Sequence, residues 1–165
     1  VRIRKVEIER LSVTSSKPFE LVVTALEEAI GHPDMVEFVK ATQSVRTFAE
    51  LESTVHRGGL GRTKMAMFMK LDHGEILRKE TELDTPKIVR FLIGNPLIMK
   101  EMAKHIPDTG SYAPVTISGD EGLDGVNLPY DKMVSLLDPY GNPDALAIAL
   151  YLDSKIKNFL RESAM

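Results

Sequence analysis

Apolar positions recur every second residue at the start of the chain and every third or fourth soon afterwards. From Val1 to Thr14, Ile3, Val6, Ile8 and Val13 are separated by Arg4, Lys5, Glu7, Glu9 and Arg10, which predicts a half-buried strand with some slippage of phase. Leu21, Val22, Ala25, Leu26, Ala29 and Ile30 then follow helical spacing. Ser15 and Ser16 offer capping hydroxyls, Pro18 suits a first turn, Gly31 closes the helix and Pro33 prevents its continuation. Between Asp34 and Val55 lie two further helical patterns, Met35-Phe38-Val39 and Val45-Phe48-Leu51-Val55, joined near Gln43 and Ser44. Their narrow apolar faces predict a helical flap on the surface.

Gly58, Gly59 and Gly61 mark a loop and a return to sheet. Lys64 to Asp72 places Met65, Met67, Met69 and Leu71 on one face and Ala66, Phe68, Lys70 and Asp72 on the other. A polar connection ends at Asp84, and Lys87 to Ile93 predicts a strand with Val89, Phe91 and Ile93 inward. Asn95 caps a helix with Pro96 at its first position, and Leu97, Ile98, Met102 and Ile106 form its stripe before Pro107 stops it. Pro114 to Ile117 reads as a short strand, Ser118 to Gly125 as a hairpin turn and Val126 to Tyr130 as the partner strand. A helical turn at Met133 to Leu137 precedes a long helix from Asn142 or Pro143 to about Arg161. Its inward positions are Leu146, Ala149, Leu150, Ile156, Phe159 and Leu160, with Lys155, Lys157 and Arg161 near its negative end.

The order is strand, helix, helical insertion, two strands, helix, two strands, helix. It predicts a single α+β domain over residues 1–165, a two-layer sandwich of about five mostly antiparallel strands with helices on one face, and a helical insertion at about 32–62. Strands and helices do not alternate strictly and no Gly-x-Gly-x-x-Gly follows a strand, which disfavours a doubly wound nucleotide fold.

Composition narrows the function classes. The chain has 165 residues, 21 Lys+Arg against 24 Asp+Glu and a formal charge of -3, without the basic excess a nucleic-acid partner demands. Apolar stretches fall short of the roughly 20 residues that span a bilayer. The absence of Cys removes disulfides, thiolate nucleophiles and Cys-rich zinc sites. Val1 to Arg10 lacks an apolar signal core, so a cytoplasmic location is the default expectation, although the missing initiator Met allows for a trimmed start.

Candidate chemistry is sparse. Gly94-Asn95-Pro96 and Gly141-Asn142-Pro143 each precede a helical pattern, which helix capping explains; the alternative is a carboxylate or phosphate held at the N-terminus of the helix after Ile93. Asp72-His73, at a strand end, is a candidate acid–base pair, with His105 as a further candidate, yet neighbours on a strand point to opposite faces. Asp72 binding turn backbone beside a solvated His73 accounts for the same residues. His105, Asp108 and Tyr112 cluster after the central helix as a candidate pocket rim. His32 and His56 fit no metal spacing, and no metal or cofactor is expected. Ser118 and Ser135 lack a nucleophile elbow. The Met65, Met67, Met69 stripe either packs under a helix or lines an apolar pocket or subunit interface.

Phe68-Met-Lys-Leu-Asp72-His73, then Gly94-Asn95-Pro96 after an apolar strand, Ala113-Pro114 before the next, and Val126 leading to Tyr130-Asp131, resemble the bacterial and archaeal family called domain of unknown function 302. The resemblance covers Phe19 to Ile30 weakly and Phe68 to Leu160 more fully. It implies a TATA-binding-protein-like β-α-β4-α domain, often a homodimer, and brings no activity with it. The chain departs from the family pattern in the insertion at His32 to Arg62 and in Ala113-Pro114 where Leu-Pro is usual. Taken together, these residues favour a non-catalytic binder of a small, partly apolar or anionic ligand between sheet and helix, with Gly94, Asn95, Met67, Met69 and Tyr112 as ligand-binding candidates. The alternatives are an enzyme using His73 with Asp72 or His105, and a protein-interaction module.

Overall fold

In a computed structural model, which describes residue 1 and residues 3–165, the chain builds its sheet from both ends. Its elements run β1 (Arg10–Ser15), α1 (Phe19–Ala29), α2 (Met35–Ser44), α3 (Phe48–Arg57), β2 (Ala66–Asp72), α4 (His73–Thr81), β3 (Ile88–Gly94), α5 (Pro96–Ala103), β4 (Val115–Gly122), β5 (Gly125–Asp131), α6 (Met133–Leu137) and α7 (Pro143–Ala164). Among the described residues the strands form one antiparallel sheet in the order β1-β5-β4-β3-β2. The architecture is α+β, as the periodicities predict.

The helices pack on one face. There α1 and α7 lie together over β1, β4 and β5, and α5 packs against α7. Val22, Leu26, Phe91, Ile93, Ile117, Leu128, Ile156 and Leu160 are buried between the layers. At about 25 cal/mol per Å² of apolar surface removed from water, this layer supplies the main drive to fold. Among the described residues the opposite face carries no helix layer, so the alternate residues of its strands, among them Arg90, Leu92, Thr116, Ser118 and Pro129, are only half-buried.

Several expectations are corrected. The first strand starts at Arg10, whose partner Asp131 is the last residue of β5; a single backbone bond, from the Lys132 N–H to the Glu9 carbonyl at 2.9 Å, lies beyond it. Ile3 and Ile8 are therefore exposed, and residue 2 of the predicted strand lies outside the described residues. Pro18, not a serine, occupies the N-cap of α1, while the Ser15 hydroxyl donates to the Ala164 carbonyl at 2.6 Å. Leu21 points outward and Val23 inward.

The connection after β2 is helical. In α4 the buried residue is Gly74. Asp72 caps the helix by accepting from the Glu75 N–H at 2.9 Å, and Lys79 pairs with Glu75 one turn away. Charges and a cap thus stabilise a helix that has no apolar stripe to announce it. The strand β4 runs on to Gly122, which leaves Leu123 and Asp124 as the hairpin turn. Gly125 follows at φ 114°, a backbone conformation suited to glycine. In α7, Leu150 is exposed and Leu152 and Asp153 are buried, a shift of the inward face by part of a turn.

The methionine stripe is broken by a bulge. The register of β2 against β3 shifts between Met67, paired with Ile93, and Met69, paired with Leu92. One extra residue, Phe68, flips the phase of everything after it. Met65 and Met67 therefore face the helix layer, while Met69 is exposed on the other side.

Candidate functional site

Two concavities flank the segment that leads into β4. The first, of about 110 Å³, lies on the helix side and is lined by Met65, Phe68, Asn95, Met99, Met102 and Leu152, with Gly94, Ala113, Pro114 and Val115 completing it. The bulge aims Phe68 here: a Cβ on Gly94 would stand 3.1 Å from its ring and 3.5 Å from Pro114. Glycine at that position lets ring and proline close over the strand end. The Ala113-Pro114 bond is cis.

Asn95 closes one end of this cavity with both amide atoms engaged. Its Oδ1 accepts from the Leu97 N–H at 2.9 Å and its Nδ2 donates to the Lys64 carbonyl at 3.0 Å. Asn142 plays the first of these roles for α7, accepting from the Ala145 N–H at 2.9 Å. Both Gly-Asn-Pro sequences are thus helix caps. The walls around the start of α5 are mainly apolar side chains, a surface suited to a hydrocarbon group.

The second concavity, a groove of about 430 Å³, lies on the open face of the sheet. Arg90 and Leu92 of β3, Thr116 and Ser118 of β4, Pro129 and Asp131 of β5 and Arg10 of β1 form its floor, with Tyr112, Met133 and Leu136 at the side. Arg10 and Asp131 neutralise each other through bonds of 2.6 and 2.9 Å. The hydrogen bond from Arg10 holds the Asp131 carboxyl below its usual range.

The sequence candidates are divided between these places. Gly94 and Asn95 line the cavity, joined by Met65, Met99 and Met102, whereas Met67 packs into the core and Met69 is exposed. Tyr112 lines the groove. Its hydroxyl lies 3.4 Å from that of Tyr140, which donates to Asp108 at 2.7 Å, and Arg4 stacks over the Tyr140 ring at 4.1 Å. Tyr112 and Asp108 together raise the Tyr140 pKa, so this hydroxyl stays a neutral donor. Asp108 and Tyr112 are brought together, while His105 is absent from the hydrogen bonds that join them.

Asp72 is committed elsewhere. Arg78 donates to it at 2.6 Å and holds its carboxyl below the usual range, while it also caps α4. His73 is the exposed first residue of that helix. It sits beside the start of β3, whereas His105 follows the helix that leaves the other end of β3, and neither lines the cavity or the groove. Among the described residues no His, Asp and Glu cluster could hold a metal ion, and no helix is long and apolar enough to cross a membrane.

Sequence reasoning missed Arg90, Thr116 and Ser118. Their common signal was polar residues alternating with the buried Val89, Phe91, Val115 and Ile117, which also fits a solvated sheet face.

Comparison with known proteins follows the same outline. A crystal structure of an uncharacterized conserved protein DUF302 from Bacillus stearothermophilus matches with a TM-score of 0.63 at 15% identity, over 93% of this chain and 97% of that one, a likeness of fold. A search of curated proteins found no match. The family model described as "Domain of unknown function DUF302" matches residues 39–163, from within α2 to the last turn of α7, and on that match the chain belongs to the DUF302 family.

Proposed function

We propose that this domain is a non-catalytic binder of a small molecule, which inserts an apolar group of about the size of one ring into the cavity beside Asn95. The supporting observation is the cavity of about 110 Å³ walled by Met65, Phe68, Met99, Met102 and Leu152. An apolar cavity of roughly 150 Å³ admits benzene, and whole ligand sites run to about 300 Å³ or more, so this one takes the end of a molecule. Burying such a group contributes about 2 kcal/mol, a factor of roughly thirty in affinity. Methionine walls adapt to the shape that enters.

The acid–base reading at His73 has weaker support, because Asp72 is occupied by Arg78 and by its capping bond. For assembly we propose a homodimer, which the exposed Ile76, Leu77 and Leu83 on and after α4 favour as a contact. Native mass spectrometry of protein from its own source reads both subunit number and any bound mass.

Methionine-methyl NMR with indole as probe tests the cavity. Saturable shifts of the Met65, Met99 and Met102 methyls, lost in Met99→Trp while the rest of the spectrum persists, are expected. Methyls that do not respond to indole, or respond equally in Met99→Trp, would remove the basis of the reading.

A further inference from the structure

Among the described residues, most charged side chains that line the hollows of the sheet have a partner of opposite charge, whereas Arg90 has none. A smaller polar hollow beside α1 holds Lys70, Asp72, Arg78, Asp84 and Lys87, but its cations are matched: Arg78 with Asp72 at 2.6 Å, Lys70 with Glu27 at 2.6 Å and Lys87 with Glu20 at 3.3 Å. In the groove on the open sheet face, Arg10 and Asp131 cancel. Arg90 is half-buried there and, among the described residues, has no carboxylate partner. Its Nη2 donates to Thr116 Oγ1 at 3.0 Å, and its buried Nε finds no acceptor. Asp120, farther along β4, accepts instead from Asn127 at 3.3 Å. The groove thus carries one uncompensated positive charge on its floor.

Leaving a guanidinium partly desolvated and unpaired is costly, and a planar fork of donors matches the oxygens of a carboxylate or phosphate. Around it, Thr116 and Ser118 add hydroxyls, since Ser118 pairs with Arg90 and Thr116 with Leu92 across β3 and β4. Leu92, Pro129, Leu136 and the Tyr112 ring supply apolar surface beside these donors. From this we infer that the groove is an oxyanion site: Arg90, with Thr116 and Ser118, binds the carboxylate or phosphate group of a small organic acid whose body lies against Leu92, Pro129 and Tyr112. This site is separate from the cavity beside Asn95, and neither requires the other.

The test uses the full chain, with benzoate and inorganic phosphate as probes in separate NMR titrations that follow the backbone amides and the methionine methyls. Either probe should shift the Thr116, Ser118 and Tyr112 amides saturably, with benzoate alone marking a carboxylate site and both marking a general oxyanion site. Arg90→Gln should weaken binding about tenfold or more, Thr116→Val by a smaller factor, and Arg62→Gln, which removes a remote surface cation, should leave it unchanged. If Arg90→Gln does not fold, the graded loss in Thr116→Val against Arg62→Gln decides alone. The inference is overturned if neither probe shifts these amides, if Arg90→Gln binds as the parent does, or if Arg90→Gln dissociates an oligomer whose groove amides ignore both anions. Benzoate shifts confined to the Met99 and Met102 methyls would place the ring in the other cavity and overturn the groove assignment as well.

Discussion

Asp153 shows how much one side chain can organise. Its buried carboxylate accepts from the Tyr130 hydroxyl at 2.7 Å, the Met133 N–H at 2.8 Å and the Val134 N–H at 3.0 Å. It therefore caps α6 from α7 and ties both to β5, with its charge near the positive end of the short helix. Burial, then the nearby Asp153 charge, pushes the Tyr130 pKa up, which keeps that hydroxyl a donor. Asp153→Ala leaves these donors buried and unmatched, and should cost about 3 kcal/mol in urea unfolding. Asp153→Asn should recover only part of this, because its amide would meet the Val134 N–H. A loss below about 1 kcal/mol for the alanine variant would show that water replaces the carboxylate. Gly31 acts at the same scale by having no side chain: a Cβ there would come within 1.4 Å of the Gly59 carbonyl oxygen. Its role is backbone contact between two loops, beyond the helix ending the local pattern predicts.

Among the elements, α5 depends most visibly on one residue. Asn95 starts the helix and, through Lys64, fixes the lead into β2. Asn95→Asp keeps the cap acceptor and loses the donor to Lys64, so it should cost about 1 kcal/mol, whereas Asn95→Ala loses both and should cost about 2 kcal/mol. Equal losses in chemical denaturation would show that only one of the two bonds matters. Elements with an apolar period were legible in the sequence, as Val89, Phe91 and Ile93 illustrate. The helix α4 was not, because its stability comes from the Asp72 cap and the Glu75–Lys79 pair. Nor was the end of β4, whose glycines at 119 and 122 resemble a turn; Gly119 instead makes room for Val89 and Leu128, each 3.3 Å from where a Cβ would be.

Across the whole molecule, ion pairs join elements distant in sequence. Arg10–Asp131 links β1 to β5 and Arg62–Glu162 ties the loop before β2 to α7, while Arg78–Asp72 is a local pair that holds the start of α4. Hydrogen bonds from Arg10 and Arg78 lower both aspartate pKa values, and Lys100 and Lys104 bring Glu101 to about 2. Depressed folded-state values mean that the unfolded chain takes up protons first. The stabilisation is complete only above about pH 5, beyond the unfolded carboxylate range, and declines as pH falls through that range towards the folded values. Because the pairs are substantially exposed, salt should weaken the effect. Urea midpoints measured from pH 6 to pH 2 should fall on acidification, less steeply in Asp131→Asn. Identical slopes for the variant and the parent would exclude Asp131 as a contributor.

The α+β class, the interior strand β3 and the capped starts of α5 and α7 were determined by the sequence itself, since caps and periodicity depend on residues within about four positions. The candidate sites were decided by tertiary structure. The bulge at Phe68 replaced a three-methionine wall with Met65, Met99 and Met102, and strand pairing set Arg90 beside Thr116 and Ser118. An unpaired charge is a property of all the neighbours it lacks. Those neighbours are fixed by register between strands far apart in the chain, where one inserted residue moves a side chain to the opposite face of the sheet.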